Sequence, residues 1–162
     1  WQRECPCRID AGQSSASKFL GKAAIANACM AYDDFKKVAA SPRCQDLLAA
    51  GARLQRPLWA STSTKNPAYR DVIYVEELVG PHTVNTVPPQ TLIAFLEHGV
   101  VRPLSLEENL AEAQASFNAL QKLGIRMDEV TDQLEVEGVK AFSDAFTVLL
   151  NTVEERRAAA LV

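Results

Sequence analysis

Four consecutive hydroxyl side chains, followed by a lysine and an asparagine, mark the stretch RPLWASTSTKNPAY at residues 56–69. The hydroxyls of residues 61–64 can donate hydrogen bonds to phosphate oxygens, the ammonium of Lys65 supplies counter-charge, and Asn66 adds a further donor. Composition alone leaves two readings open, an anion-binding site and a solvated loop. Lys65 is also a candidate Schiff-base nucleophile, but nothing in the sequence provides the apolar surroundings that such a lysine needs.

The other side chains that could do chemistry favour structural roles. Trp59 lies in an apolar run, so it is predicted to be a core residue. His82 and His98 have no carboxylate or cysteine partner within reach by sequence, and both are interpreted as structural or surface residues. Two pairs of glutamates are predicted to be solvated helix faces and a cap: Glu76 with Glu77, and Glu107 with Glu108. The charged cluster from Glu154 to Arg157 is predicted to be exposed and paired within itself.

Cysteine usage gives no reason to expect a metal or a cofactor. The four cysteines stand at positions 5, 7, 29 and 44, and the first two form a C-x-C pair. A zinc site would need a second Cys or His cluster of suitable spacing, which the two histidines do not supply. Reduced thiols are therefore expected, and the cysteines predict neither a zinc site nor a redox site.

Charge and length limit the classes of partner. The chain has 162 residues and a net charge of -3, which does not favour binding to nucleic acid or to an anionic membrane. No apolar run approaches the roughly 20 residues of a membrane span. The sequence starts at Trp1 without an initiating Met or an apolar signal core, so we expect a chain that was processed, truncated or cut from something longer.

Hydrophobic periodicity and breakers predict alternating strands and helices. The first half is predicted to contain a helix over 16–39, a short helix over 43–50 ended by Gly51, a strand over 57–61 and a polar loop over 62–71. A strand or short helix over 71–78 and a strand over 82–87 follow. The rest is predicted to be a helix from Pro89 to Gly99, a long helix capped by Ser105 and Glu108 and ended by Gly124, and a helix over 128–159 with Gly138 as a weak point.

This order of elements predicts an α/β fold with parallel strands, in which two or three strands are each followed by helix. So few strands cannot close a (β/α) barrel, which takes eight strands and about 250 residues. The loop after PLWA would leave the carboxyl end of its strand, where sites of such barrels lie. Seven apolar residues of the last helix predict a core-facing stripe: Leu134, Val139, Phe142, Phe146, Leu149, Leu150 and Val153.

Three segments carry a family resemblance: GKAAIANACMAYDDF, RLQRPLWASTSTKNPAYRDVIYVEELVGPHTVNTVPPQTL and VTDQLEVEGVKAFSDAF. Together they resemble the bacterial and plant type of transaldolase over about residues 8–157, most specifically between Leu58 and Pro88. The resemblance implies a (β/α) barrel enzyme of the pentose phosphate pathway. Such enzymes move a dihydroxyacetone unit between sugar phosphates through a lysine Schiff base, without cofactor or metal.

The resemblance also implies roles for particular residues. Ser61 and Lys65 would hold the substrate phosphate with Asn66 beside them, in agreement with the chemistry of the loop. The segment CPCRID matches the end of another family motif, so Arg8 would be a second phosphate ligand. That match is imperfect, because Arg3 and the residues around Arg8 (Pro6 and Cys7) replace those that the family has there.

The catalytic lysine of the family has no counterpart in this sequence. By resemblance, residues 1–162 form a single domain that begins within the sixth strand and corresponds to the C-terminal part of the barrel, and no lysine here aligns with the nucleophile. We therefore predict no catalytic residue in the chain.

Three functions remain open. The chain could be part of a working transaldolase, a non-catalytic transaldolase-derived subunit of a larger assembly, or a separate module that binds a sugar phosphate or another anion. A few parallel strands leave an open edge, so a protein partner covering that edge is expected. The cytoplasm and the plastid stroma are both expected compartments.

Overall fold

The computed structural model describes residue 19 and residues 21–161. In chain order its elements are α1 (Ala23–Ala40), α2 (Pro42–Ala49), β1 (Leu58–Trp59), α3 (Ile73–Glu76), β2 (Val84–Asn85), α4 (Pro89–His98), α5 (Ser105–Glu108), α6 (Leu110–Lys122) and α7 (Met127–Ala160). Helices therefore dominate the described residues. The start of the helix predicted over 16–39 lies largely outside them.

The break between α1 and α2 is built from Ser41 and Pro42. Ser41 has an extended backbone, and its hydroxyl accepts a hydrogen bond from the backbone N–H of Cys44 at 3.3 Å. Pro42 occupies the first turn of α2, where its missing N–H costs no helix hydrogen bond. Gly51, with φ of 95°, follows the end of α2 as predicted.

The two strands form a parallel pair. Leu58 lies opposite Val84 and Trp59 opposite Asn85. The backbone N–H of Val84 donates to the carbonyl of Pro57 at 2.9 Å, and that of Thr86 donates to Trp59 at 3.0 Å. Both strands are shorter than predicted, and the ambiguous segment 71–78 contains the short helix α3 instead of a third strand.

An apolar cluster of the described residues packs against β1 and α3. Its buried members come from α1, α5, α6 and the segment after α3, and they are Ile25, Ala26, Cys29, Tyr32, Leu78, Leu106 and Ala113. Trp59 packs against this cluster, as predicted. Helix α1 packs along α6, and a 2.7 Å ion pair between Lys22 and Glu112 joins their beginnings. The short strands are thus supported by helix-to-helix packing.

The predicted cap of the long helix is wrong. Ser105 is the first residue of the four-residue helix α5, which makes no side-chain cap bond. The Ser105 side chain is fully buried and accepts a hydrogen bond from the backbone N–H of Val79 at 3.0 Å. The hydroxyl therefore serves a tertiary contact, and the helix is interrupted at Asn109 before α6 begins.

The chain divides into two compact units between Leu123 and Gly124. The second contains the 34-residue helix α7, none of whose residues is buried. The predicted core-facing stripe is therefore exposed, with Phe142 exposed by 83%. The predicted pairing at the end of α7 is confirmed by Arg157 and Glu154, which lie 2.6 Å apart. The expectation of a single domain stays a prediction.

Candidate functional site

The loop that follows β1 begins with a strained residue. Ser61 is exposed and has φ of 58°, in the left-handed region. That conformation costs a non-glycine residue roughly 1–2 kcal/mol, and such residues concentrate at functional sites. The backbone therefore turns sharply where β1 ends, and the next residues run toward β2.

Thr62 attaches the start of the loop to the second strand. Its side chain is 3% exposed, and its hydroxyl donates to Oδ1 of Asn85 at 2.8 Å. The carbonyl of Thr86 lies 3.4 Å from the same hydroxyl. Sequence reasoning treated Thr62 as one of four equivalent hydroxyls and missed this role, because the partner stands 23 residues away.

Lys65 is exposed, and its Nζ donates to the Ser63 hydroxyl at 2.8 Å. The structure thus joins Lys65 to Ser63, one of the four loop hydroxyls, to which the family resemblance assigned no ligand role. Among the described residues no hydrogen bond joins Lys65 to Ser61. Oδ1 of Asn66 accepts from the backbone N–H of Ala68 at 2.9 Å, so this side chain shapes its own turn. Arg8, the other predicted phosphate ligand, lies outside the described residues.

The loop is closed on its return by Thr64, whose hydroxyl lies 3.1 Å from the carbonyl of Arg70 and 3.0 Å from that of Asp71. Arg70 is then held by Glu76 through two 2.8 Å hydrogen bonds. Its guanidinium is therefore engaged by a carboxylate, and Lys65 remains the cation that the loop presents to solvent.

Glu76 is buried, with 7% exposure, so its interpretation as a solvated helix residue is wrong. Besides the two bonds from Arg70, its carboxylate accepts a hydrogen bond from the backbone N–H of Val100 at 2.8 Å. The hydrogen bonds from Arg70 lower the pKa of Glu76, against the opposing effect of its burial. The neighbouring Glu77 is half-buried and pairs with Arg102.

His98 has a carboxylate partner that sequence reasoning did not find. Its Nε2 lies 2.9 Å from Oδ1 of Asp71, and its carbonyl accepts from Arg70 at 2.8 Å. The hydrogen bond from His98 holds the pKa of Asp71 below its ordinary value. The end of α4 is therefore tied to the return of the loop, whereas His82 is exposed.

Other features of the described residues do not add chemistry to this loop. Within residues 19 and 21–161 no group of three or more His, Cys, Asp or Glu side chains could hold a metal ion. Burial raises the pKa of the Cys29 thiol to about 11, which keeps it protonated at neutral pH. No helix in this part of the chain is both long enough and apolar enough to cross a membrane.

A cavity of about 390 Å³ lies beside α1 and α6. Its described lining includes Cys29 and Tyr69, and it does not include Ser61, Lys65 or Asn66. The charged side chains around it are already paired, Lys22 with Glu112 and Arg102 with Glu77. The cations that line this cavity in the described part of the chain are therefore already paired with carboxylates.

Comparison with known proteins identifies related sequences across nearly the whole chain. Residues 8–153 match the family described as transaldolase/fructose-6-phosphate aldolase. A transaldolase of Parafrankia sp. is 48% identical over 145 residues, which are 90% of this chain and 39% of that protein. A transaldolase of Acidothermus cellulolyticus is 49% identical over 146 residues, which are 90% of this chain and 39% of that protein. Transaldolase 1 of Streptomyces coelicolor is 48% identical over 142 residues, which are 88% of this chain and 37% of that protein.

The chain thus spans about two fifths of the length of the curated relatives it matches. The family fold is a TIM barrel, and a helix-rich chain with one parallel strand pair is compatible with part of such a barrel. The resemblance read from the three sequence segments is confirmed: the chain belongs to the transaldolase/fructose-6-phosphate aldolase family.

Proposed function

We propose that this chain supplies the substrate-phosphate-binding part of a transaldolase, an enzyme that transfers a dihydroxyacetone unit between sugar phosphates. The observation that carries the proposal is the position of Lys65, on a hydroxyl-rich loop that leaves the carboxyl end of a parallel strand. In (β/α) barrels that end of the strands carries the active site. The two short strands would be among the last strands of the barrel.

In this proposal Lys65 holds substrate and does not react with it. Its exposed ammonium would pair with the phosphate of the sugar, and the serine hydroxyls of the loop would donate hydrogen bonds to the same group. Binding energy from this remote group would orient the carbon skeleton for the reaction. The Schiff-base lysine would come from a part of the barrel outside residues 1–162, and Arg8 would be a second ligand. No cofactor or metal is invoked.

Phosphate binding by the chain is the direct test. Titration with inorganic phosphate and with fructose 6-phosphate, followed by backbone amide chemical shifts, should perturb the amides of residues 61–66. Lys65→Met should weaken binding by roughly tenfold or more, because a charge-assisted contact is lost. Lys122→Met, at an exposed lysine near the end of α6, is the matched control and should bind like the parent chain. Absence of saturable binding by the parent chain would refute the proposal.

Borohydride trapping tests the assignment of Lys65 as a phosphate ligand. Reduction in the presence of a ketose phosphate should leave every lysine of this chain unlabelled, whether or not the remainder of the barrel is present. Peptide mapping that located a reduced adduct on Lys65 would instead make it the nucleophile.

A second candidate function, a non-catalytic subunit of a larger assembly, is favoured by exposed apolar side chains. Leu92, Ile93 and Leu96 of α4 are exposed by 47–77%, and α7 carries more such residues. Exposure on this scale is typical of surfaces that another polypeptide covers. Either the remainder of the barrel or a separate protein would cover them, in the cytoplasm or a plastid. A test is to add the part of a relative that this chain does not cover. Transaldolase activity in the mixture would support the enzyme proposal over the non-catalytic subunit.

A further inference from the structure

We propose that Thr62 is a positioning residue for the phosphate-binding loop and that Ser63 joins Lys65 as a direct phosphate contact. The juxtaposition that carries this inference is the buried hydrogen bond from Thr62 to Asn85, beside the bond from Lys65 to Ser63. The inference rests on the proposed function. It assigns different tasks to hydroxyls that look equivalent in the sequence.

Two hydroxyls of the loop are used inside the protein. Thr62 reaches Asn85 in β2, which lies opposite Trp59 in β1. Thr64 reaches the carbonyls of Arg70 and Asp71, where the loop returns. The loop is therefore fixed at two points, one on the neighbouring strand and one on the segment leading to α3.

Ser63 stands between these two fixed points, and Lys65 follows the second. The Ser63 hydroxyl oxygen accepts a hydrogen bond from Lys65 Nζ at 2.8 Å, so its own proton remains available for another acceptor. The Lys65 ammonium has three N–H donors and uses one of them on Ser63. Together the pair presents a positive charge and several donors, which suits the dianionic phosphate of a sugar phosphate monoester.

The hydroxyl of Thr62 is the decisive group in this arrangement. Valine has nearly the shape of threonine but no hydroxyl, so Thr62→Val would leave Oδ1 of Asn85 without its donor and release the start of the loop. Thr62→Ser retains the hydroxyl and removes only a methyl group. The two variants separate hydrogen bonding from packing at one position.

The experiment compares Thr62→Val, Thr62→Ser and Ser63→Ala with the parent chain, using inorganic phosphate as the probe and loop amide shifts as the readout. We expect Thr62→Val and Ser63→Ala each to weaken phosphate binding by about tenfold, and Thr62→Ser to stay within about twofold. Thermal unfolding of each variant shows whether it is folded. Faster amide exchange over residues 62–66 in Thr62→Val, reversed in Thr62→Ser, is the expected signature of lost positioning.

The outcomes separate this inference from the proposed function. If the parent chain binds phosphate through Lys65 but Thr62→Val binds equally well, the positioning role is refuted and the proposed function stands. If Thr62→Ser binds phosphate as weakly as Thr62→Val, the methyl group of Thr62 and not its hydroxyl controls binding, and the positioning role of the hydroxyl is refuted. Unchanged binding by Ser63→Ala removes Ser63 from the contact. If the parent chain binds no phosphate, the proposed function itself fails, and this inference falls with it.

Discussion

At the scale of single residues, Glu76 joins two segments that are distant in the sequence. Its buried carboxylate accepts two hydrogen bonds from Arg70 and one from the backbone N–H of Val100. Arg70 in turn donates to the carbonyl of His98. Glu76 therefore ties the return of the loop to the segment at the end of α4, in addition to the contact between His98 and Asp71.

Substitution Glu76→Gln should lower the free energy of unfolding at pH 7 by about 1–2 kcal/mol, because it removes a charge-assisted pair with the half-exposed Arg70. The pKa of Glu76 in the folded chain lies below its ordinary value of 4.5. The stabilisation is therefore full above about pH 4.5 and is lost as the pH falls through the folded pKa. Urea unfolding of parent and variant between pH 7 and about pH 3 measures both effects.

The control for this measurement is Glu97→Gln, at an exposed position of α4. It should change neither the stability at pH 7 nor its decline in acid. Equal pH profiles for Glu76→Gln and the parent chain would contradict the assigned role of Glu76.

At the scale of elements, two glycines show why position and backbone conformation must be read together. Gly138 lies inside the long helix α7, where an added Cβ would meet no atom within 4 Å. Gly51 follows the end of α2, has equally free space around it, and has φ of 95°. The sequence predicts a helix stop at Gly51 and a weak point at Gly138. The positive φ of Gly51 and the helical position of Gly138 explain the difference.

Gly138→Ala should therefore stabilise α7 by about 1 kcal/mol, because alanine is the better helix former. Gly51→Ala should destabilise the end of α2 by roughly 1–2 kcal/mol, because a positive φ is costly for residues with a Cβ. Amide hydrogen exchange should slow around residue 138 and accelerate around residue 51 in the respective variants. The same sign of change at both sites would show that backbone conformation does not decide the effect.

At the scale of the whole molecule, the main feature is apolar surface that the described residues do not cover. Helix α7 exposes Phe142 by 83% and Phe146 by 60%, with further aliphatic residues along the same helix. A stretch of this kind is typical of an interface, because monomeric proteins rarely expose large contiguous apolar patches. The chain spans only about two fifths of its relatives, so the remainder of a barrel is one candidate cover.

We expect the chain to self-associate when it is alone, and the double substitution Phe142→Gln and Phe146→Gln to reduce that association. Light scattering across a range of concentrations measures the average mass, and far-UV circular dichroism checks that the helix content is kept. Glu155→Gln, at an exposed charged position of α7, is the control and should associate like the parent chain. A chain that stays monomeric at high concentration would contradict this expectation and favour the separate binding module.

Prediction from sequence was most successful where the signal is local. The helix beginning at Pro89 and the stops at Gly51 and Gly124 depend on neighbouring residues, and the structure reproduces them, while the two strands form within the predicted segments but are shorter. The cap at Ser105 failed because a buried serine found a tertiary partner in Val79. Glu76 was misjudged for the same reason, and the carboxylate partner of His98 was not found from sequence, since these partners are six or more residues away.

By itself the sequence determined the family, the segments that hold the two strands, and the loop that carries Lys65, because these follow from motifs and from local periodicity. Only the tertiary structure decided which hydroxyls of that loop turn inward and which stay outside. Thr62 is buried against Asn85 and Ser63 receives the Lys65 ammonium, a distinction that depends on where β2 lies relative to β1. Side chains of one type acquire different tasks from neighbours that are remote in sequence, and folding alone supplies those neighbours.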